Sequence, residues 1–218
     1  MSIFGFEIVL SSNVFLILVL LITMIAALIL GMGMPTLPAY ANVAIVVGGA
    51  LTALGLSFFT SHMFVFYFAV ASAITPPVAI AAFAASSITN EDPFRTGFAA
   101  VRVGITMFIV PFIFVFYPEL LLINDAFIAD KMTGEFIPTR PQGFEIGQFL
   151  SIIPRTFLAL YLISSALSSF DTRLINSLEK YTRLLLAVLV LTIPISIHGP
   201  AVILAIALLF YHRLQKQL

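Results

Sequence analysis

Residues 13–30 read NVFLILVLLITMIAALIL, and the six that follow, Gly31-Met-Gly-Met-Pro-Thr36, decide how the chain is built. The apolar run is just long enough to cross a hydrocarbon core, which takes about 20 helical residues rising ~1.5 Å each. With Pro38, two glycines and two prolines fall within residues 31–38. A regular helix cannot continue there, because proline lacks an amide donor and glycine loosens the backbone. Yet apolar sequence resumes at once over residues 39–56. The break is therefore expected within or near a membrane.

A second apolar block covers residues 63–88 and is interrupted at Ile74-Thr-Pro-Pro77. Each half holds about a dozen residues, roughly 18 Å of helix, which is too short to cross. Two short limbs meeting at a Thr-Pro-Pro tip read as a re-entrant hairpin. A single kinked span is the alternative, disfavoured because each proline pushes its predecessor out of helical geometry. Asn90-Glu-Asp-Pro93 marks an exit to water and an N-cap for the next helix.

Further along, residues 94–117 form a span carrying Arg95 and Arg102, and residues 118–145 a polar loop outside the membrane. Another span covers residues 146–169, followed by a polar connector over 171–183. A last apolar run, 184–211, is broken at His198-Gly-Pro200. The expected fold is all-α, a polytopic membrane helix bundle with a broken helix and a re-entrant hairpin. Three regions are expected: 1–122, holding broken helix, hairpin and following span; the polar loop 123–145; and the C-terminal membrane helices 146–218.

Composition agrees. Hydrophobic residues make up 61% of the 218 positions and charged ones 9%, against about 25% charged in a soluble domain. No charged residue occurs between Glu7 and Glu91. A zero formal net charge excludes a basic field for nucleic acid. The absence of cysteine removes disulfides and thiolate chemistry. No HExxH, GxSxG or paired membrane aspartates occur, and His62, His198 and His212 lack metal-ligand spacing, so an enzyme is not expected. The N-terminal residues lack a basic stretch and a small-residue cleavage site, so the first apolar run is expected to stay in the membrane. Basic residues divide almost evenly between the two sides and assign no orientation.

Backbone groups freed at a helix break survive in a bilayer only inside protein or beside a watery cavity. A break at residues 31–36 offers carbonyls from one helix end and amides from the start of the next. Carbonyls and a hydroxyl such as Thr36 suit a hard cation like sodium, and helix N-termini attract carboxylates. The Thr75-Pro-Pro tip, with Ser72 nearby, offers the same groups again. Paired interrupted segments are the sequence mark of a secondary transporter. Arg102 reads as structural, able to snorkel from a helix end, and His62 as a hydrogen-bonded boundary residue.

Several words occur in series: Gly31-Met-Gly-Met-Pro-Thr36 with Ala39-Tyr40, His62-Met-Phe-Val-Phe-Tyr67, Ile74-Thr-Pro-Pro-Val78, Asp92-Pro-Phe-Arg-Thr-Gly97 and Phe108-Ile-Val-Pro-Phe-Ile-Phe114. Over residues 5–122 they resemble the large permease subunit of tripartite ATP-independent periplasmic (TRAP) transporters, in the fused-permease branch that works with TAXI-type receptors. Beyond residue 145 the similarity is only general.

The resemblance implies a multi-pass protein of the inner membrane that imports organic acids such as dicarboxylates. Sodium would be the coupling ion, with no other cofactor, and the motion elevator-like. Implied partners are an extracytoplasmic solute-binding protein, a carboxylate substrate, lipid, and the rest of the permease, meaning a first repeat and small-subunit helices. Carried over, Gly31, Gly33, Thr36 and Thr75 would hold sodium, the glycines through their carbonyls. Ser72, Thr75 and Pro76 would close the substrate site, and Asn42 would touch substrate or make a helix–helix hydrogen bond. The family carries two inverted repeats, each with a broken helix and a hairpin, whereas one of each is legible here. A C-terminal portion is therefore expected, with a non-transporting remnant or structural subunit as the alternative.

Overall fold

The computed structural model describes residues 2–3, 6–7, 12–122, 127–129, 136–138, 146–171, 174–192 and 195–214. Apart from paired strands of two or three residues, these segments are helical, and the chain is an all-α membrane bundle. Among the described residues, four helices are long and apolar enough to cross a membrane: Val14–Gly31, Thr36–Ala53, Phe149–Ser168 and Ser196–Arg213. Contacts divide the chain into two compact units, Met1–Gly97 with Asp125–Thr139, and Phe98–Asn124 with Arg140–Leu218.

In the first unit, α1 (Ser12–Gly31) stops at the glycine-proline word. Residues 32–35 form a tight turn in which the Met32 and Met34 amides bond back to the Ile29 and Gly31 carbonyls at 3.3 and 3.4 Å. Gly33 takes φ +78°, a left-handed conformation that costs a side-chain-bearing residue more than glycine. The chain re-enters helix as α2 (Thr36–Val43). Pro38 is tolerated in its first turn because the amide it lacks has no partner within the helix. A π turn, Ala44–Gly48, and α3 (Gly49–Ala53) complete this arm.

Helix α4 (Phe58–Ala71) starts at Ser57, whose Oγ accepts the Thr60 amide at 3.1 Å, and continues as a 3-10 turn, Ser72–Ile74. The first limb thus begins five residues before the expected boundary, because the Ser57 cap is stronger than the apolar contrast at Met63. The second limb, α5 (Ile80–Thr89), ends with Asn90 at φ +57°. Asp92 then caps α6 (Pro93–Val103), its Oδ1 accepting the Arg95 amide at 2.8 Å, with Pro93 at the first helical position. Leu20, Val43, Leu51, Phe64, Val65 and Phe68 are fully buried among these elements.

The second unit corrects three expectations. The span over residues 94–117 is not continuous: after Gly104 comes a 3-10 turn, Ile105–Phe108, then α7 (Val110–Phe116), and the two parts are bent by 65°. Pro111 withholds the amide that a continuous helix would donate to Met107, and Gly104 yields beside it. The polar connector is shorter than expected. Helix α8 (Ile146–Ser168) is followed by α9 (Ser177–Val190), capped by Asn176, so Arg183 lies inside a helix and is buried.

The last run breaks after Leu191 rather than at His198. Residues 198–200 lie within α10 (Ile195–Leu214), where Pro200, the sixth residue, withholds the amide that would bond to the Ser196 carbonyl while the helix continues past it. Residues 193–194 lie outside the described set. Of the polar loop, Pro118–Leu121 is a 3-10 turn, two short strands pair, and the remainder also lies outside the described residues. Ala159, Ala187, Ala201 and Ala205, fully or almost fully buried beside Leu162 and Val190, let α8, α9 and α10 approach closely.

Candidate functional site

The end of α1 and the tip after α4 lie against each other. A Cβ on Gly31 would stand 2.8 Å from Ser72 Oγ and 3.2 Å from the Ala69 carbonyl oxygen. Only a residue without a side chain lets the helix end come so close. Two residues on, a Cβ on Gly33 would stand 3.6 Å from Val78 Cγ1. The turn at residues 32–35 and the tip at 75–79 therefore pack together through glycine faces.

At the tip, Ser72 is buried and its hydroxyl donates to the Ala69 carbonyl at 2.6 Å, while the half-buried Thr75 hydroxyl donates to the Ala71 carbonyl at 2.8 Å. Each hydroxyl has one hydrogen, spent on its own helix, so its lone pairs remain for a cation or a donor. Pro76 and Pro77 are joined by a cis bond. Ala79, fully buried, is held at φ +35° as the residue preceding α5. A left-handed alanine costs about 1–2 kcal/mol and marks a tightly determined backbone. Pro76 is seated against α6, where a Cβ on Gly97 would lie 3.0 Å from Pro76 Cγ. That contact explains the glycine closing the Asp92–Gly97 word.

Of the residues expected at the site, the structure brings Gly31 to Ser72 and Gly33 to the segment beyond Thr75 and Pro76. Thr36 is exposed at the first position of α2. Asn42 is turned toward α1, its Nδ2 donating to the Leu30 carbonyl at 3.2 Å. That bond satisfies a carbonyl orphaned by the end of α1. Among the described residues no cluster of three histidine, aspartate or glutamate side chains could hold a metal ion, and the oxygens at the break and tip are neutral.

Sequence reasoning missed two arginine centres in the second unit. Arg155, inside α8, donates to the Val190 and Thr192 carbonyls at 3.0 and 2.7 Å, capping the C-terminal end of α9. It also reaches the Tyr117 hydroxyl at 3.4 Å, and that hydroxyl donates to the Leu191 carbonyl. A charge nine residues into a span was the available signal. Arg183, fully buried, binds Ser165 Oγ at 2.6 Å, Asp171 at 3.2 Å and Glu179 at 2.8 Å, and Glu179 also meets His212 Nδ1 at 2.8 Å. Burial alone would raise the Asp171 pKa. The hydrogen bonds from Tyr161 and Arg183, with the charges of Arg183 and His212, more than reverse this and hold it below the ordinary aspartate value.

Residues 6–127, over half of the chain, match the family model described as tripartite ATP-independent periplasmic transporter, DctM component. No curated protein and no solved structure matches the chain.

Proposed function

The chain belongs to the DctM component family of tripartite ATP-independent periplasmic transporters, and from that premise we propose that it is the second-repeat portion of a fused, TAXI-type permease importing organic acids with sodium. It is a multi-pass membrane component of a secondary transporter, from a family of permeases rather than enzymes. The inner membrane is its proposed location. A soluble extracytoplasmic binding protein would deliver the acid, and a first repeat with small-subunit helices would complete the site.

The observation that carries this reading is the seating of the turn at residues 32–35 against the tip at 75–79 through Gly31–Ser72 and Gly33–Val78. Depth follows from length. Helix α5 has ten residues, ~15 Å, and starts at the tip, so it spans about half of a ~30 Å core before the polar Asn90-Glu-Asp word. The tip, acting as a re-entrant hairpin, and the break that touches it would both lie near mid-depth.

Chemistry at that depth favours coupling. No charged side chain occurs between Glu7 and Glu91, and an unpaired carboxylate buried in such surroundings is strongly disfavoured. Carbonyls of Gly31 and Gly33 with hydroxyls of Thr36 and Thr75 offer neutral oxygens for sodium. The first amides of α2 and α5, with Ser72 and Pro76 closing from the hairpin, offer the positive ends of helices to a carboxylate. Acid and cation neutralise each other, so neither enters well alone.

The test is Thr36→Val and Thr75→Val in the complete permease reconstituted with its binding protein, following uptake of a labelled four-carbon dicarboxylate. Each substitution is expected to raise the half-saturating sodium concentration about ten-fold, the loss of one charge-assisted contact, with little change in melting temperature. Unchanged sodium activation in both would remove the assigned ligands. A non-transporting remnant is the second reading, motivated by the single break and hairpin legible here. Sodium-dependent uptake that is lost when this sequence is omitted from the permease would exclude it.

A further inference from the structure

Two sequence words that the transport site leaves unused meet each other. Tyr40, on α2, places its hydroxyl 2.7 Å from Nδ1 of His62, on α4. With the ring proton on Nε2, Nδ1 accepts from the phenol. The imidazole is held on its other sides. Phe58, one turn earlier on α4, stacks against it with centroids 4.0 Å apart. Gly48, in the π turn, faces it closely, a Cβ there standing 3.8 Å from Cε1 and Nε2. Tyr40 also packs edge-on against Phe66, at 5.7 Å. Phe58, His62 and Phe66 follow at four-residue steps on α4, so one helical face presents an aromatic ladder in which His62 is the polar rung.

Two positions along α2, Asn42 bonds to the end of α1. Helix α2 is thus tied by side chains to both neighbours: to α1, which ends at the break, and to α4, which leads to the tip. Thr36 sits one turn before Tyr40 on α2, while Ser72 and Thr75 follow α4 directly. Whatever fixes α2 against α4 also fixes the separation of these hydroxyls.

We propose that Tyr40 and His62 are a positioning pair, setting the spacing between the Thr36 end of α2 and the Ser72–Thr75 end of α4 and thereby the sodium affinity of the site, without touching the ion. The proposal rests on the sodium-coupled reading above. Neutral oxygens bind a cation through several weak ion–dipole contacts, so loss of alignment in one limb weakens the whole set. No charge elsewhere in the described part of this region would compensate.

Sodium binding can be read without knowing the transported acid. The complete permease, solubilised, is titrated with sodium chloride against choline chloride at constant ionic strength, and the sodium-induced rise in melting temperature is followed. Tyr40→Phe and His62→Leu are each expected to raise the half-saturating sodium concentration about five-fold, the weight of one hydrogen bond. Melting in choline should fall by only a few degrees. The double variant is expected to be no worse than either single one. His62→Gln, whose amide oxygen accepts from the phenol, should recover most of the affinity. Additive effects in the double variant, or lower melting with unchanged sodium affinity, would overturn the pair while leaving sodium coupling intact. A parent permease with no sodium-induced shift would remove sodium coupling and the pair together.

Discussion

The two compact units solve the same problem, polar groups inside an apolar bundle, in opposite ways. From Ser12 to Asn90 the first unit contains no charged side chain, and its internal polar contacts are between hydroxyls, amides, an imidazole and backbone carbonyls. The second encloses Arg183 with Asp171, Glu179 and Ser165, and places Arg155 on the end of α9. Ion pairs once formed in a buried setting are costly to open, whereas neutral oxygens can exchange one partner for another. Under the sodium-coupled reading proposed above, the contrast would separate a part that admits and releases an ion from a part that stays as it is.

The largest expected effect falls on the anchored side. Arg183→Leu leaves the half-buried Asp171 without its cation and Glu179 with His212 alone, and should destabilise the second unit by about 3 kcal/mol, the low end for a broken buried pair, measured by denaturant titration of the purified chain. Sodium affinity should scarcely change. A variant that unfolds normally but loses sodium binding would erase the division of labour between the units.

Next in size is Gly31→Ala. The added methyl would meet Ser72 Oγ at 2.8 Å, and Ser72 cannot simply swing aside because it is bonded to the Ala69 carbonyl, itself 3.2 Å from the new atom. Overpacking of this kind costs about 1–3 kcal/mol. Here the sodium-induced rise in melting should disappear along with the stability. If only stability falls, the glycine contact is packing and no part of a binding site.

The smallest effect sharpens the comparison through pH. The folded-state pKa of Asp171 is depressed, so its contribution to stability is fully present above the ordinary aspartate value of 3.8 and is lost as pH falls through the lower folded value. Acid melting curves should therefore steepen below about pH 4, and Asp171→Asn should flatten that slope while lowering stability at neutral pH. The first unit, uncharged from Ser12 to Asn90, should show no matching dependence within that stretch.

Much of the architecture was legible because its causes are local. Proline and glycine act on their own turn, so the interruptions at residues 31–36 and 75–77 could be read directly, and the Asp92-Pro93 cap likewise. Where two local signals competed, the reading slipped. Gly104 with Pro111 bends what the sequence presents as one span, and His198-Gly-Pro200, which the sequence presents as a break, lies inside α10. Thr36 and Thr75 were singled out for their oxygens, but nothing in the string of letters says where a hydroxyl spends its hydrogen.

The sequence alone determined that this is a chain of membrane helices and where those helices must give way, since hydropathy, chain length and the missing donors of proline are properties of a segment by itself. Only the tertiary structure decided that Gly31 makes room for Ser72, that Gly97 makes room for Pro76, and that Tyr40 finds His62 across 22 residues. It also turned Arg183 from the apparent end of a polar linker into the centre of a buried ionic cluster. The reason is geometric. Periodicity tells which face of a helix a side chain occupies, but which atom it meets depends on how two helices are brought together, and that is settled by the packing of all of them at once.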